Sequence, residues 1–194
     1  TNQLYKDMKR LVVILLAAIS CGQLSLSAQT INSSENGKYT LSVGKTTMTI
    51  DASKGGKIVS YKYNDTEIIS QTRIPNSFGS TFWTSPQSEW NWPPVPEYDS
   101  KPFKAEVNGT TLTLTGDKSP RFGYRVCKEF TADAKSETII IAYTIINESG
   151  EARKVAPWEI TRVPNGGILF FDAKEATPAN KMDGLPFESK FKAL

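Results

Sequence analysis

The chain contains no histidine, and this absence limits the chemistry that it can perform. Histidine is the side chain whose ordinary pKa lies nearest neutral pH, so any acid or base here must be a carboxyl, lysine, tyrosine or cysteine with a shifted pKa. Ser–His and Cys–His nucleophile pairs are excluded, as are His-ligated zinc sites. No spacing of Asp and Glu resembles a calcium loop, so we predict neither a metal nor a cofactor.

Cysteine is also scarce, with two copies at Cys21 and Cys127. Cys21 follows Ala18-Ile19-Ser20, which resembles a poor lipobox, so a lipid anchor at Cys21 is the less favoured of two export routes. Once an N-terminal signal is removed, Cys127 alone remains and cannot form an internal disulfide. The core must therefore stabilise the protein even in an oxidising compartment.

Long apolar runs are few, and the first lies near the N-terminus. Met8-Lys9-Arg10 is followed by the apolar segment Leu11 to Ile19 and by the small-residue site Leu26-Ser27-Ala28. This order is typical of a secretory signal peptide, so we predict that residues 1–28, an over-extended start included, are removed and that the protein is periplasmic or secreted. The apolar run of about ten residues is shorter than the ~20 that a membrane-spanning helix needs, and no membrane span is predicted.

Basic residues exceed acidic ones only slightly: the chain has 23 basic and 20 acidic residues, which gives a formal net charge of +3. The predicted signal holds Lys6, Lys9, Arg10 and Asp7, so the remaining chain is nearly balanced. Its charges are interspersed and form no basic run, so nucleic acid is not a predicted partner. The remaining length suffices for one domain, and the oligomeric state is left open.

Short runs that alternate β-branched or aromatic residues with polar ones are abundant, and they predict strands. The predicted strands are Tyr39 to Val43, Thr46 to Asp51, Lys57 to Tyr63, Thr66 to Ile69, Phe103 to Val107, Thr110 to Thr115, Phe122 to Phe130, Thr138 to Ile146, Lys154 to Thr161 and Ile168 to Phe171. Asn108-Gly109 between two of these runs indicates a tight hairpin, and no amphipathic helix of useful length is predicted. The spacing favours one all-β antiparallel sandwich over residues 39–194, with Thr138 to Ile146 buried on both faces and residues 29–38 as a flexible leader.

A long connection from Gln71 to Lys101, rich in Pro, Ser and Trp, interrupts this pattern. Loops of this length in compact domains are usually functional or disordered, and the aromatic content argues against disorder. Indole faces stack on the C–H faces of pyranose rings, while Gln and Glu can hydrogen-bond sugar hydroxyls. The candidate sugar contacts in this loop are Trp83, Gln87, Glu89, Trp90 and Trp92. The alternative is that the same residues plug one end of the sandwich.

Four stretches point to a known family. They are Gly55-Gly56-Lys57-Ile58-Val59-Ser60, Asn64-Asp65-Thr66-Glu67-Ile68-Ile69, Ala142-Tyr143-Thr144-Ile145-Ile146-Asn147-Glu148-Ser149-Gly150 and Pro157-Trp158-Glu159-Ile160-Thr161-Arg162. They resemble the galactose mutarotase (aldose 1-epimerase) superfamily, and the strings Phe82 to Gln87 and Trp90 to Pro94 resemble its secreted members of unassigned reaction. The resemblance covers about residues 39–172 and implies an antiparallel β-supersandwich that takes a carbohydrate ligand.

The resemblance also implies a histidine as general acid and a glutamate as general base, and this chain departs from both. The segment similar to the one with the family histidine reads Trp158-Glu159-Ile160-Thr161-Arg162. The family base comes from the C-terminal part of the fold, so we expect a member truncated at Leu194 that lacks standard aldose 1-epimerase activity. Glu159 is a weak candidate for a substitute acid.

Strand alternation places Glu159 and Thr161 on one face and Trp158 on the other. If the first face lines a cleft, Glu159 and Thr161 contact the substrate and Trp158 lies in the core. The alternative is a solvent-facing Glu159 paired with Arg162 or Lys154. Arg73 could orient a hydroxyl or carboxylate with its planar fork of donors, and a plain surface arginine fits equally well.

The sequence therefore predicts an exported carbohydrate-binding protein of the mutarotase-like type, with a mono- or oligosaccharide as partner. Two alternatives remain open at this level. One is an active aldose epimerase or other sugar-modifying enzyme that uses carboxylates. The other is a structural or adhesive β-sandwich without a sugar ligand.

Overall fold

Two antiparallel β-sheets face each other, as the alternating sequence pattern predicts. The computed structural model describes residues 29–34, 36–72 and 78–164. Its elements are β1 (Thr30–Ser33), β2 (Lys38–Val43), β3 (Thr46–Asp51), β4 (Lys57–Tyr63), β5 (Thr66–Glu67), β6 (Ser80–Ser85), a 3₁₀ turn (Gln87–Glu89), α1 (Pro96–Asp99), β7 (Lys104–Asn108), β8 (Thr111–Thr115), β9 (Tyr124–Asp133), β10 (Thr138–Asn147) and β11 (Ala156–Thr161). The predicted all-β sandwich is confirmed. The predicted signal, Arg73 and the predicted strand Ile168 to Phe171 lie outside the described residues.

The larger sheet has the strand order β1-β2-β3-β4-β6-β11, with β5 paired to β4, and the smaller sheet has the order β10-β9-β8-β7. The predicted hairpin joins β7 to β8, where Asn108 pairs with Thr111 and Gly109 takes a φ of +59°. Glycine adopts such a φ without the steric penalty of a Cβ, which explains the tight turn. None of the helices in the described ranges is long and apolar enough to cross a bilayer.

Three segments differ from the sequence prediction. The structure forms β1 within the predicted leader, where Thr30 pairs with Ser42 of β2. It also forms β6 within the predicted long connection, and β6 pairs with both β4 and β11. The prediction of a strand buried on both faces was wrong for β10, whose Ile140 is 53% exposed. Within the described part of the chain β10 pairs only with β9, so it forms a sheet edge and packs only its alternate residues inward.

The core lies between the sheets and is dominated by aliphatic and aromatic side chains from both. Leu41, Ile50, Phe82, Leu112 and Phe130 have no exposed surface. Lys128 of β9 occupies the same inward register as Val126 and Phe130 and is 1% exposed. A lysine in the core is expensive unless its ammonium finds partners, and those partners belong to the site described next.

Candidate functional site

All four tryptophans of the chain meet in one group, which we call the indole cluster: Trp83, Trp90, Trp92 and Trp158. Trp83 of β6 is at its centre, with ring centroids 5.7 Å from Trp90, 6.0 Å from Trp92 and 5.6 Å from Trp158, all edge-to-face. Trp158 reaches the cluster because β11 pairs with β6 in a register that sets it opposite Trp83. Edge-to-face contacts match the negative face of one ring to the positive edge of another.

The members of the indole cluster differ sharply in exposure. Trp90 is 2% exposed, and its Nε1 donates to the carbonyl oxygen of Thr84 at 2.8 Å. Trp83 is also buried, and its Nε1 donates to Asp99 Oδ1 at 2.7 Å. Trp92, in contrast, is 69% exposed. Two of the predicted sugar contacts therefore lie in the interior, and Trp92 is the one whose ring faces solvent.

The two polar residues predicted in the tryptophan loop have different surroundings. Glu89 is partly buried, accepts a hydrogen bond from the Tyr124 hydroxyl at 3.0 Å and lies 3.8 Å from the Arg153 guanidinium. Burial raises the pKa of Tyr124, and the adjacent Glu89 raises it further. Gln87 is exposed and lines a shallow depression of about 460 Å³ together with Ser88, Pro157 and Trp158. Glu89 thus stabilises the loop, whereas Gln87 is available to a ligand at its surface.

A second group of predicted residues meets between the sheets, in a partly open space that we call the inner cavity, with a volume of about 290 Å³. Glu159 and Thr161 both line it, as does Ser80 of the neighbouring strand β6. Ser80 Oγ lies 2.6 Å from Thr161 Oγ1 and donates a hydrogen bond to Glu159 Oε1. Of the two orientations considered for Glu159, the structure has the one that faces a cavity, with Trp158 half-buried on the other face.

The carboxylate of Glu159 is only partly satisfied, because Oε2 is buried and has no hydrogen-bond partner among the described residues. Tyr143 of β10 also lines the inner cavity, with its hydroxyl next to Glu159. Burial raises the pKa of Tyr143 strongly, and the nearby negative charge of Glu159 raises it further. Tyr143 therefore keeps its proton throughout the physiological range and can act only as a hydrogen-bonding hydroxyl there.

Lys128 is buried next to Tyr143. It was not identified as a candidate site residue from the sequence. Its Nζ donates to the carbonyl oxygen of Gly55 at 2.6 Å, and the rings of Phe82, Phe103 and Tyr143 surround it at 5.4, 5.3 and 5.9 Å. Burial lowers the pKa of Lys128 to about 8, although the charges of Glu159 and Asp99 oppose that shift. The signal was present, since Lys128 shares the parity of buried neighbours in its strand.

Further charged residues lie near the face of β6 that points away from the inner cavity, and the sequence did not identify them. Arg162 donates to Thr81 Oγ1 at 3.0 Å, and burial lowers the pKa of Arg162. Burial also lowers the pKa of Lys57, while the Asp99 charge raises it. Asp99 thus holds the Trp83 indole and compensates three basic side chains, Lys57, Lys128 and Arg162, which makes it a structural anchor of the cluster.

No protein-family model matches the chain, and no curated protein matches it either. Among solved structures, the chain is similar to the 4-alpha-glucanotransferase of Thermococcus litoralis, with 14% sequence identity and a TM-score of 0.41. The match covers 63% of this chain and 25% of the other, so the chain spans about a quarter of the length of that enzyme. A likeness at this level supports no conclusion about function.

Proposed function

We propose that this protein binds carbohydrate and that the exposed side of the indole cluster, at Trp92, is the binding surface. The observation that carries the proposal is Trp92, whose ring is 69% exposed although it is held edge-on by the buried Trp83. A fixed aromatic ring in water offers a flat apolar face without the entropy cost of ordering a mobile side chain, which suits the C–H face of a pyranose. Gln87 and Ser88 beside Trp158 add the polar groups that orient sugar hydroxyls.

Replacing Trp92 by Ala should weaken sugar binding by about 1–3 kcal/mol, as expected when an aromatic anchor is truncated. Stability should change by no more than about 0.5 kcal/mol, because the ring is mostly exposed. The binding is measured by isothermal titration calorimetry with glucose, galactose and their oligosaccharides. Tyr63→Ala is the matched control, since Tyr63 is also an exposed aromatic, at 52%, and lies outside the cluster.

Three outcomes would contradict the proposal that sugar binds at Trp92. If no sugar in the series binds, or if Trp92→Ala binds as tightly as the unmodified protein, the indole cluster is an end cap and the structural or adhesive alternative stands. If Tyr63→Ala weakens binding as much as Trp92→Ala does, the sugar contacts a different surface.

We further propose that the protein has a mutarotase-like fold without the standard activity. The motifs given above support the relationship, and the lack of any histidine supports the loss of activity because the family acid has no counterpart. Losing a general acid or base costs about 10²–10⁴ in rate, so polarimetry of freshly dissolved glucose or galactose should show mutarotation at the buffer rate. Mutarotation clearly faster than buffer, and abolished by Glu159→Gln, would favour the alternative of an active enzyme that uses carboxylates.

A further inference from the structure

The inner cavity has the size and the walls of a small-molecule site. Its volume of about 290 Å³ lies just below the range for ligand pockets, which is about 300–1,000 Å³. Its lining is largely apolar, with five aliphatic or thioether side chains from Met48, Ile58, Ile69, Ile139 and Ile141 and the rings of Tyr61 and Tyr143. Such a space suits a single ring of low polarity.

The inner cavity holds one hydrogen-bonded polar group, and the hydroxyl-bearing Tyr61 and Tyr143 also line it. Ser80, Thr161 and Glu159 are linked by hydrogen bonds, and Glu159 Oε2 remains buried without a partner among the described residues. A buried carboxylate oxygen that accepts no hydrogen bond is unfavourable, so a ligand that donates to Oε2 gains affinity at this point. The donor belongs at one end of the ligand, since the rest of the lining is largely apolar.

The charges around Glu159 favour a ligand whose hydrogen-bond donor carries no positive charge. Lys128 is close enough for its positive charge to interact with Glu159, which holds the pKa of Lys128 up against burial. The carboxylate therefore already has a compensating cation, and a second ammonium would be left in excess. A sugar is also disfavoured, because hydroxyls around its whole ring outnumber the polar groups of a largely apolar lining and would lose hydrogen bonds there.

We propose that the inner cavity binds a neutral monocyclic alcohol or phenol whose hydroxyl donates to Glu159 Oε2. The site is separate from the indole cluster, because Glu159 and Trp158 lie on opposite faces of β11. It does not depend on carbohydrate binding. The ring of the ligand and the walls of the cavity make the apolar contacts, and the single hydroxyl fixes the orientation of the ligand.

The test compares 4-methylphenol with toluene, which has a ring of the same kind and no hydroxyl. In calorimetric titrations of the whole chain, 4-methylphenol should bind about 10- to 100-fold more tightly than toluene, the contribution of a hydrogen bond to a charged group. Glu159→Gln keeps the shape of the side chain and should remove most of this preference. Trp92→Ala should leave both affinities unchanged.

Three results would overturn the proposal. They are no detectable binding of 4-methylphenol, equal affinity for the two compounds, and displacement of 4-methylphenol by glucose. The comparison of the two ligands on the unmodified protein needs no variant, so it decides the matter even if Glu159→Gln fails to fold. A protein that binds 4-methylphenol but no sugar would retain this site and refute the proposed function.

Discussion

Replacing Trp90 by Ala is expected to cost about 3–5 kcal/mol of stability, the range for removing a large aromatic side chain from a core. Trp90 is 2% exposed, contacts Trp83 and Trp158, and satisfies the Thr84 carbonyl through its Nε1. For a chain of this length the loss corresponds to a melting temperature lower by roughly 6–20 °C. Thermal melts followed by far-UV circular dichroism provide the measurement.

Trp92→Ala is the matched control, because it removes the same side chain from the same loop at an exposed position. Trp90→Phe should lie between the two, since it keeps a ring and loses the N–H donor. If Trp90→Ala melts like the unmodified protein and loses sugar affinity, Trp90 is a ligand contact and its burial in the interior is not the dominant state in solution.

The second large effect is a pH dependence that originates in the core. Burial holds the pKa of Lys128 at about 8 in the folded chain, against an ordinary value of 10.5. Below pH 8 the folded state carries a buried charge at a cost, and above 10.5 the lysine is neutral in both states, so stability rises with pH between these values. From pH 7 to 9.5 the free energy of unfolding should increase by about 2 kcal/mol through this lysine.

Urea denaturation at several pH values measures this increase, with Lys128→Met as the control. Methionine keeps an unbranched stem in the aromatic cage and cannot be protonated, so the difference between the two curves isolates Lys128. Burial also lowers the pKa of Lys57, which contributes with the same sign in both proteins. Burial raises the pKa of Tyr98 to about 12, and this opposing effect begins above the measured range. Parallel curves for the two proteins would show that the ammonium is hydrated in the folded state.

The presence of the strands other than β1 and β6 was the most predictable part of this fold, because period-two alternation is local. β3 and β4 match their predictions at both ends. β6 was missed because it lacks alternation: the core covers Phe82 on one side, and the loop that follows covers Trp83 on the other. A strand buried on both faces and rich in Ser and Thr has no local signature that separates it from a loop.

In the candidate sites too, the sequence predicted what depends on neighbouring residues and missed what depends on contacts between distant strands. Alternation correctly set Glu159 and Thr161 on one face, but their contact with Ser80 depends on the pairing of β11 with β6, across about eighty positions of sequence. Composition indicated a surface of tryptophans, yet it could not distinguish the buried Trp90 from the exposed Trp92. Trp90 packs against Trp158, and this contact depends on the pairing of β11 with β6, so it has no local sequence signature.

Because every tryptophan lies in the indole cluster, tryptophan fluorescence and far-ultraviolet circular dichroism report on different parts of the protein. Intrinsic emission excited at the red edge of the absorption band originates entirely from the indole cluster, while the amide signal in the far ultraviolet averages over both sheets. Coincident transitions by the two signals are the mark of cooperative unfolding. An emission change that precedes the amide change would instead reveal that the end of the sandwich around β6 opens first, while the β7–β10 sheet persists.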